Sequence, residues 1–324
     1  MQTIRLGRTG LTVSRLGLGT MLFGSQVDEG QAVAILDEAD RLGIDFLDVA
    51  DVYPVPPDPT TWGRSEEIVG GWLRGRRNRF VLATKCVGRV GPGPNDLGGG
   101  RKHVIEACER SLRRLGTDRV DLYYLHHADL GAPIEEALEA LDRLVRDGKV
   151  LYVGLSNFDA WQLALALVAV AQHGLTRIAA LQPRHNLLHR VAERDLFPLA
   201  QAAGIGVVPY NPLAAGMLAG RYRRGQEPPE GSRFARGEWG RMYQQRYWSE
   251  RMFEVAEAVE TVARSEGLTP AQVALAWMLQ QEAVTAPIVG ASWPAQLRDS
   301  AAAVGRVLAE PHRARLDEVS RGFQ

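Results

Sequence analysis

The strongest constraint on the fold of this chain is a regular alternation of short apolar runs with longer amphipathic segments. Eight apolar runs have the length of strands: Arg15 to Gly19, Ile44 to Asp48, Phe80 to Lys85, Val120 to His126, Val150 to Leu155, Ile178 to Gln182, Gly206 to Tyr210 and Val284 to Gly290. Strands and helices in this order indicate parallel strands joined by right-handed crossovers. Eight such units favour a closed (β/α)8 barrel over an open doubly wound sheet.

The segments between these runs carry the signals that begin and end helices. Helical patterns occupy residues 28–43, 65–75, 101–116, 133–148, 159–174, 193–204, 252–267 and 269–281. Several of them begin with Asp, Ser or Pro, which suit a helix start, and end at a glycine, which suits a left-handed C-cap. These glycines are Gly43, Gly75, Gly116, Gly148, Gly174 and Gly204.

Some segments depart from this rhythm. The first residues read as a small β-hairpin that turns at Gly10, and three long, turn-rich segments lie at 54–63, 87–100 and 221–248. Because all three follow strands, we expect them at the carboxyl-terminal face of the barrel. No domain boundary is evident, so the prediction is a single-domain TIM barrel over residues 1–324.

Composition excludes several classes of partner. Lys plus Arg equals Asp plus Glu at 38 each, so no net charge favours nucleic acid or an anionic membrane. Two cysteines are too few for a disulfide framework, and the amino-terminal stretch lacks the pattern of a signal peptide. No apolar stretch reaches the roughly 18 residues of a membrane span. We therefore expect a cytoplasmic protein with no nucleic-acid or membrane partner, and make no prediction of oligomeric state.

Polar residues stand where successive predicted strands end. In a barrel of parallel strands the active site forms at these carboxyl ends. The residues at these positions are Asp48, Lys85, His126, Ser156, Asn157, Gln182 and Tyr210. A barrel without a site does not need such a set, so the pattern predicts a catalytic cavity.

A proton-transfer group is predicted at one side of this cavity. Asp48 and Lys85 are expected to pair as opposite charges, and Tyr53 follows Asp48 by five residues. A nearby ammonium favours a tyrosinate, so we expect Lys85 to lower the pKa of Tyr53 from its usual value near ~10. Such a tyrosine could shuttle a proton near neutral pH.

Two clusters, one of histidines and one of aspartates, resemble metal sites. The alternation of side chains along a strand argues against both interpretations. Neighbouring residues on a strand point to opposite sides, so His126 and His127 are not expected to ligate one ion. The same alternation separates Asp45 from Asp48, so Asp45, Asp48 and Asp51 are not expected to form a carboxylate site for a metal or for glycoside hydrolysis. We expect no metal site, with His126 pointing into the barrel and His127 away from it.

Nine ordered stretches over nearly the whole chain carry a family resemblance. They are GLGTMLFG, DVADVY, WGRSEEIVG, VLATK, DLYYLH, GLSNF, LQPRHNLL, YNPLAAGMLAGRY and PIVGAS. The sequence resembles the aldo-keto reductase superfamily, and DVYPVPPDPTTWG and GPNDLGG resemble a bacterial branch that includes sugar-directed reductases. The resemblance implies reduction of an aldehyde or ketone with NADP(H), or the reverse oxidation of an alcohol.

The resemblance also implies roles for the strand-end residues. Tyr53 would protonate the carbonyl oxygen, Lys85 would tune Tyr53, and Asp48 would hold Lys85. His126 would donate a hydrogen bond that orients the carbonyl. The cofactor contacts implied are Gly19, Thr20, Ser156, Asn157, Gln182, Tyr210, Asn211, Pro212, Leu213, Gly216, Leu218, Arg221, Gly290, Ser292, Gln296 and Ser300.

Two positions depart from the family pattern. Ser292 and Trp293 stand where the family often has a basic side chain for the 2′-phosphate of NADP. Arg298 does not replace that side chain, because on a helix through this segment it would point to a different side from Gln296. NADP is therefore the first expectation for the cofactor, with NAD as the alternative. His185 replaces the usual tyrosine after Gln182 and is expected to reshape the pocket floor.

Aromatic residues in the long segments have two open interpretations. They are Trp62, Trp239, Tyr243, Tyr247 and Trp248. They could clamp a sugar ring or another flat substrate, or they could anchor the loops. Trp62, Trp248 and His127 are the candidate substrate contacts. The alternative to an enzyme is a regulatory NADP(H)-binding subunit that resembles potassium-channel beta subunits.

Overall fold

The computed structural model describes residues 1–324 and consists of a curled parallel sheet surrounded by helices. The strands of this sheet are β3 (Gly17–Gly19), β4 (Phe46–Asp48), β5 (Val81–Cys86), β6 (Val120–Leu125), β7 (Val150–Ser156), β8 (Ile178–Gln182), β9 (Gly206–Val207) and β10 (Ile288–Gly290). Their order is β10-β3-β4-β5-β6-β7-β8-β9, and all neighbours are parallel. The predicted (β/α)8 fold is confirmed.

The first and last strands of this order meet through isolated bridges. Val207 bridges Val284, and Tyr210 bridges Ile288, both in parallel. The predicted strands 206–210 and 284–290 are shorter in the structure because each contains a proline, Pro209 or Pro287, which has no N–H to donate. Both prolines still accept ladder hydrogen bonds through their carbonyl oxygens.

The helices lie where the sequence pattern predicts them, with additions. They are α1 (Glu29–Leu42), α2 (Arg64–Leu73), α3 (Arg101–Leu115), α4 (Ile134–Arg146), α5 (Ala160–His173), α6 (Leu196–Ala203), α7 (Gly237–Tyr247), α8 (Glu250–Glu266), α9 (Pro270–Leu279), α10 (Pro294–Ala301) and α11 (Glu310–Ser320). Left-handed glycine caps end α1, α3, α5, α6 and α8. Two helices were not predicted from the sequence: α7, which lies in the long segment 221–248, and α11.

The interior of the barrel is apolar near its amino-terminal end and polar near its carboxyl-terminal end. The buried apolar residues inside are Leu6, Val13, Phe46, Ala83, Leu122, Tyr124, Ala180, Val208, Ala286 and Ile288. Asp48 lies two residues after Phe46, and His126 lies two residues after Tyr124, so each shares the inward face of its strand. The strand-end polar groups therefore cap an apolar plug inside the barrel.

Glycines make room for the larger side chains of this plug. A Cβ at Gly154 would collide with the ring of Tyr124 on the neighbouring strand, and one at Gly19 would approach Ile288 Cγ2 to 2.7 Å. Because a glycine has no Cβ, the large side chain of the neighbouring strand can occupy the space beside it. A larger residue at Gly154 would displace Tyr124 and the strand that ends at His126.

A hairpin closes the amino-terminal end of the barrel. Its strands are β1 (Thr3–Arg5) and β2 (Thr12–Ser14), which pair antiparallel as predicted. Leu6 and Val13 are fully buried in the barrel interior. The backbone N–H of Ser14 donates to Asp45 Oδ1 at 2.7 Å, which assigns Asp45 to this closed end. No helix is long and apolar enough to cross a membrane.

Candidate active site

A buried ion pair lies at the carboxyl ends of β4 and β5. Lys85, which is fully buried, donates through Nζ to Asp48 Oδ1 and to the Val49 carbonyl oxygen at 2.7 Å. The second carboxylate oxygen of Asp48 accepts from Gln182 Nε2 at 2.8 Å. Burial lowers the pKa of Lys85, whereas the charge of Asp48 and its hydrogen bond raise it. Each carboxylate oxygen of Asp48 thus accepts a hydrogen bond, one from Lys85 on β5 and one from Gln182 on β8.

Tyr53 and His126 lie beside this pair. Lys85 Nζ is 5.0 Å from the centroid of the Tyr53 ring. The ring of His126 is 5.8 Å from that of Tyr53, centroid to centroid, at an interplanar angle of 79°. Four residues from β4, the β4–α2 connection, β5 and the end of β6 therefore converge on one place.

The predicted direction of the Tyr53 pKa shift is wrong. Burial is the largest cause, and with the charges of Asp48, Tyr243 and Asp51 it raises the pKa of Tyr53 well above 10. The ammonium of Lys85 donates to Asp48 and lies 5.0 Å from the centroid of the Tyr53 ring, and its charge does not offset the effect of burial on the pKa of Tyr53. Tyr53 is therefore a neutral phenol at neutral pH, in the state that can donate a proton.

The two adjacent histidines face different surroundings. His126 is partly buried and shares the inward face of β6 with Tyr124, whereas His127 is exposed. Burial, the charge of Lys85 and that of His127 lower the pKa of His126 well below its usual range. A neutral imidazole retains one N–H donor. No group of three or more His, Cys, Asp or Glu side chains is placed to hold a metal ion.

The amide and hydroxyl groups at the ends of β7 and β8 form a connected set. Asn157, in a left-handed conformation with φ 55°, donates to the His126 carbonyl at 2.9 Å and to Ser156 Oγ at 3.1 Å. The hydroxyl of Tyr210 donates to Asn157 Oδ1 at 2.7 Å. Ser156 Oγ donates to the carbonyl oxygen of Gln182 at 3.0 Å. These hydrogen bonds hold the side chains of Ser156, Asn157 and Tyr210 in place at the barrel mouth, next to His126.

The predicted cofactor segments 211–221 and 290–300 lie on the same rim. Five residues of the first segment have positive φ: Asn211, Ala214, Ala215, Gly216 and Gly220. Such backbone is strained in non-glycine residues. The N–H groups of Ala214, Ala215 and Gly216 donate within the loop, to the Asn211 carbonyl, to Asn211 Oδ1 and to the Leu213 carbonyl. Gly290 is exposed at the end of β10, and the N–H of Ser292 is held by Gln296 Oε1 at 2.7 Å. Arg298 pairs with Glu38 at 3.3 Å and so faces α1. The exposed Gly290, which has no side chain, leaves room at the end of β10 for the close approach of a cofactor.

Some predicted cofactor contacts have enclosed side chains. Thr20 is fully buried, where its hydroxyl donates to the Asp48 carbonyl at 3.1 Å and accepts from Ser65 Oγ at 2.8 Å. Thr20 therefore supports the backbone at the end of β4. Pro212, Leu218 and Ser300 are also buried, so in this conformation their side chains do not face the mouth.

His185 does not lie on the pocket floor, contrary to the prediction. Its ring is fully buried, 4.9 Å from the ring of Phe197 and stacked at 5.6 Å on Trp277. Burial and the charges of Arg190 and His189 lower the pKa of His185 to about 3. The side chain thus packs between α6 and α9, in the layer outside the sheet.

The loop aromatics divide between anchors and cavity walls. Trp248 packs edge-on against Tyr222, Phe234 and Phe253 at 5.1 to 5.6 Å, which favours the anchor interpretation. Tyr247 is buried as well, Trp62 is partly buried, and His127 is exposed. Trp239 and Tyr243, one turn apart on α7, line a cavity together with Val55 of the β4–α2 connection. Their i,i+4 spacing was the signal for a helix that the sequence analysis missed.

A second buried charge cluster lies behind the site and was also missed. Glu66, at the start of α2, is fully buried and accepts from Thr84 Oγ1 at 2.6 Å and from Arg114 Nε at 2.7 Å. Asp51 is fully buried beside them, and both of its carboxylate oxygens lack a hydrogen-bond partner. The motif WGRSEE thus links α2 to the barrel through Ser65 and Glu66.

This barrel, with its tetrad of Asp, Tyr, Lys and His at one mouth, agrees with comparisons to known proteins. Residues 15–321 match the model of the Aldo/keto reductase family, and the chain belongs to that family of oxidoreductases.

Relatives with different names align over most of the chain. Uncharacterized oxidoreductase YrpG of Bacillus subtilis (strain 168) is 38% identical over 315 residues, which cover 94% of this chain and 91% of that protein. A probable voltage-gated potassium channel subunit beta of Arabidopsis thaliana is 36% identical over 313 residues, covering 94% and 91%. L-glyceraldehyde 3-phosphate reductase of Escherichia coli (strain K12) is 33% identical over 315 residues, covering 95% and 88%.

Proposed function

We propose that this protein interconverts a carbonyl compound, an aldehyde, ketone or sugar, and its alcohol, using NADP(H) or NAD(H), with Tyr53 as the general acid and base. The observation that carries the proposal is the convergence of Tyr53, Lys85, Asp48 and His126 at the carboxyl-terminal mouth. A neutral phenol, a buried ammonium and a neutral imidazole around one cavity suit proton donation to a carbonyl oxygen.

The proposed cofactor site uses the polar groups round the same mouth. Ser156, Asn157 and Gln182 would hold the carboxamide of a nicotinamide, with Tyr210 beside its ring. Backbone groups of 211–221 and 290–300 would hold the phosphates and the adenosine end, as turns and helix starts do. When bound in its reduced form, the nicotinamide would supply a hydride.

The chain's own residues would handle the proton. Tyr53 donates its phenolic proton to the carbonyl oxygen as the carbonyl carbon is reduced, which yields the alcohol and a transient tyrosinate. Lys85, anchored by Asp48, stabilises that negative charge through space, and His126 donates its N–H to orient the carbonyl. The tyrosinate then takes a proton from solvent. In the oxidative direction the same steps run in reverse.

Replacing the proton donor tests this function. Purified protein would be assayed with NADPH and with NADH against a panel of aldehydes, ketones and sugars. Tyr53→Phe should keep cofactor affinity, measured by fluorescence titration, and lower kcat by about 10²-fold to 10⁴-fold because it removes only the acid. Tyr152→Phe makes the same change at the other end of the barrel and should leave kcat unchanged. Wild-type turnover by Tyr53→Phe would refute the role of Tyr53.

A second candidate function is a regulatory subunit that binds the cofactor without turnover. It is favoured by the similarity to the Arabidopsis protein whose name is that of a probable potassium channel subunit beta. It predicts tight cofactor binding with no carbonyl reduction over the whole panel. The same titration and assay therefore separate the two candidates.

A further inference from the structure

Helix α5 carries no Asp, Glu, Lys or Arg along its 14 residues, and its sequence AWQLALALVAVAQH is polar only at two glutamines and a histidine near its ends. A helix that is apolar on every side is normally buried on every side. Instead α5 lies in the outer layer of the barrel, packed between α4 and α6, with one side in solvent. An uncharged helix side at the surface indicates a face that another molecule covers.

Three large side chains form the exposed side of α5. Trp161, Leu165 and Val168 are 55%, 53% and 51% exposed. Their spacing of four and three residues places them in one row along the helix, whereas Leu163 and Ala166 lie on the opposite side, buried against the barrel. The molecule exposes ten large hydrophobic side chains, and no other three stand on one helix. We call this row the α5 stripe.

The apolar surface continues onto α6. Pro198 and Ala202 are exposed on this neighbouring helix, and Leu199 is half-buried. Packed helices are about 10 Å apart and rise about 1.5 Å per residue, so α4, α5 and α6 together present a face of about 30 Å by 20 Å, or roughly 600 Å². A standard interface takes about 800 Å² from each partner. The face is therefore on the order of the area that a stable pair of molecules needs.

The arginines beside the stripe are paired within the chain. On α4, Arg143 Nε pairs with Asp147 at 2.9 Å, and Arg146 Nε pairs with Asp142 at 2.8 Å. Neither arginine is left to attract an acidic partner, and α6 has no charged residue. A stripe with no charge of its own does not repel a second copy of itself.

The shape of the stripe also matches its own copy. Trp161 is bulky at one end, Val168 and Ala171 are small toward the other end, and Leu165 lies near the middle. A two-fold axis through Leu165 would place the Trp161 ring of each copy against the small side chains of the other, with the two helices antiparallel. Tryptophan is among the residues that contribute most to such contacts.

We propose that two copies of this chain form a homodimer in which their α5 helices pack antiparallel about this axis. Each α5 begins at the mouth of its barrel, just after Asn157, so antiparallel helices leave the two mouths open at opposite ends of the dimer. The proposal does not depend on the reaction that the protein catalyses.

Sedimentation velocity over a wide range of protein concentrations tests the association. The wild-type protein should sediment with twice the 35.6 kDa mass of one chain. Leu165→Arg sets two like charges against each other at the axis and should raise the dimer dissociation constant at least about a hundredfold. Val307→Arg, the same kind of change at a side chain that is 77% exposed elsewhere on the surface, should leave the dimer intact. Far-ultraviolet circular dichroism should show that both variants fold.

A mixture of two variants tests the two-fold geometry. Leu165→Glu alone should be monomeric, as Leu165→Arg is, but an equimolar mixture of the two should dimerise because the axis then brings opposite charges together. With oxidised glutathione, Leu165→Cys should form a disulfide-linked dimer and Val307→Cys should not. The native cysteines, Cys86 and Cys108, are buried and do not compete.

Three results would overturn the proposal. They are a wild-type protein that stays monomeric at every concentration, an oligomer that Leu165→Arg leaves intact, and charge variants of Leu165 that stay monomeric when mixed. A larger oligomer that Leu165→Arg divides into smaller species would support the α5 contact as one of its interfaces. None of these measurements requires turnover, so the result holds whether or not the protein reduces carbonyl compounds.

Discussion

The protonation state of single residues is what most shapes the chemistry proposed for this site. Burial keeps Tyr53 neutral by raising its pKa, and it keeps His126 neutral by lowering its pKa. The same loss of solvent acts in opposite directions because the charged form is an anion for a phenol and a cation for an imidazole. Both side chains are thus hydrogen donors at neutral pH, as the reduction of a carbonyl requires.

The adjacent histidines give a prediction at this scale. His126→Ala should lower kcat for carbonyl reduction by about 10²-fold to 10³-fold, since it removes a donor aimed at the developing negative charge. His127→Ala is the matched control, because His127 is exposed on the other side of the strand end, and we expect kcat within about twofold of wild type. Equal losses in both variants would show that His126 has no special role. The measurement is steady-state kinetics on the best carbonyl substrate.

At the scale of elements, the β4–α2 connection joins the catalytic tyrosine to a buried charge cluster. Asp51 lies between Asp48 and Tyr53 in this connection and packs toward α2 and α3. Burial, and after it the charge of Glu66, raises the pKa of Asp51 well above its usual range, while Arg114 and Arg110 act to lower it. The connection therefore carries a carboxyl group that the folded state prefers to keep protonated.

This preference makes stability depend on pH. Because the folded-state pKa of Asp51 lies above its unfolded value near ~4, its contribution is fully present below that value and is lost as pH rises through the folded pKa. Asp51→Asn removes the titration, so its stability relative to wild type should increase as pH rises from about 4, by about 1.4 kcal/mol per unit of pKa shift. Urea unfolding across pH measures this difference. A difference independent of pH would contradict the prediction.

In the whole molecule, the side chains that stabilise the barrel and the side chains proposed to carry out the chemistry lie at opposite ends of the barrel axis. The hairpin and the apolar plug occupy the amino-terminal end, whereas the charged and polar side chains occupy the carboxyl-terminal end. This division is general for barrels of parallel strands, whose loops at one face carry the site. Changes at the closed end should therefore affect stability more than turnover.

Leu6→Ala tests this division. Leu6 is fully buried in the plug, and its removal should lower the free energy of unfolding by about 2 to 5 kcal/mol, because the rigid barrel leaves a cavity. The kcat measured well below the melting temperature should stay unchanged, since the tetrad lies at the opposite end. Leu130→Ala, at a side chain that is 79% exposed, should change stability by less than about 0.5 kcal/mol. A loss of turnover in folded Leu6→Ala protein would refute the separation.

The sequence could predict features that depend on local periodicity. The period of two placed Asp48 and His126 on inward faces, the end of a predicted strand placed Lys85 at the same mouth, and the structure brings the three together with Tyr53. Helix caps such as Gly43 and Gly116 depend on backbone conformation over a few residues, and these were predicted as well. Periodicity did not distinguish α7 within its long segment, where turns and aromatic residues alternate.

What the sequence alone determined about this protein is its barrel, its element order and the residue types at the mouth, because hydrophobic period and turn chemistry are properties of neighbouring residues. Only the tertiary structure decided that the pKa of Tyr53 is raised rather than lowered, that Thr20 is a buried support and that His185 packs outside the sheet. These properties depend on burial and charge contributed by distant parts of the chain, which only the folded arrangement brings together.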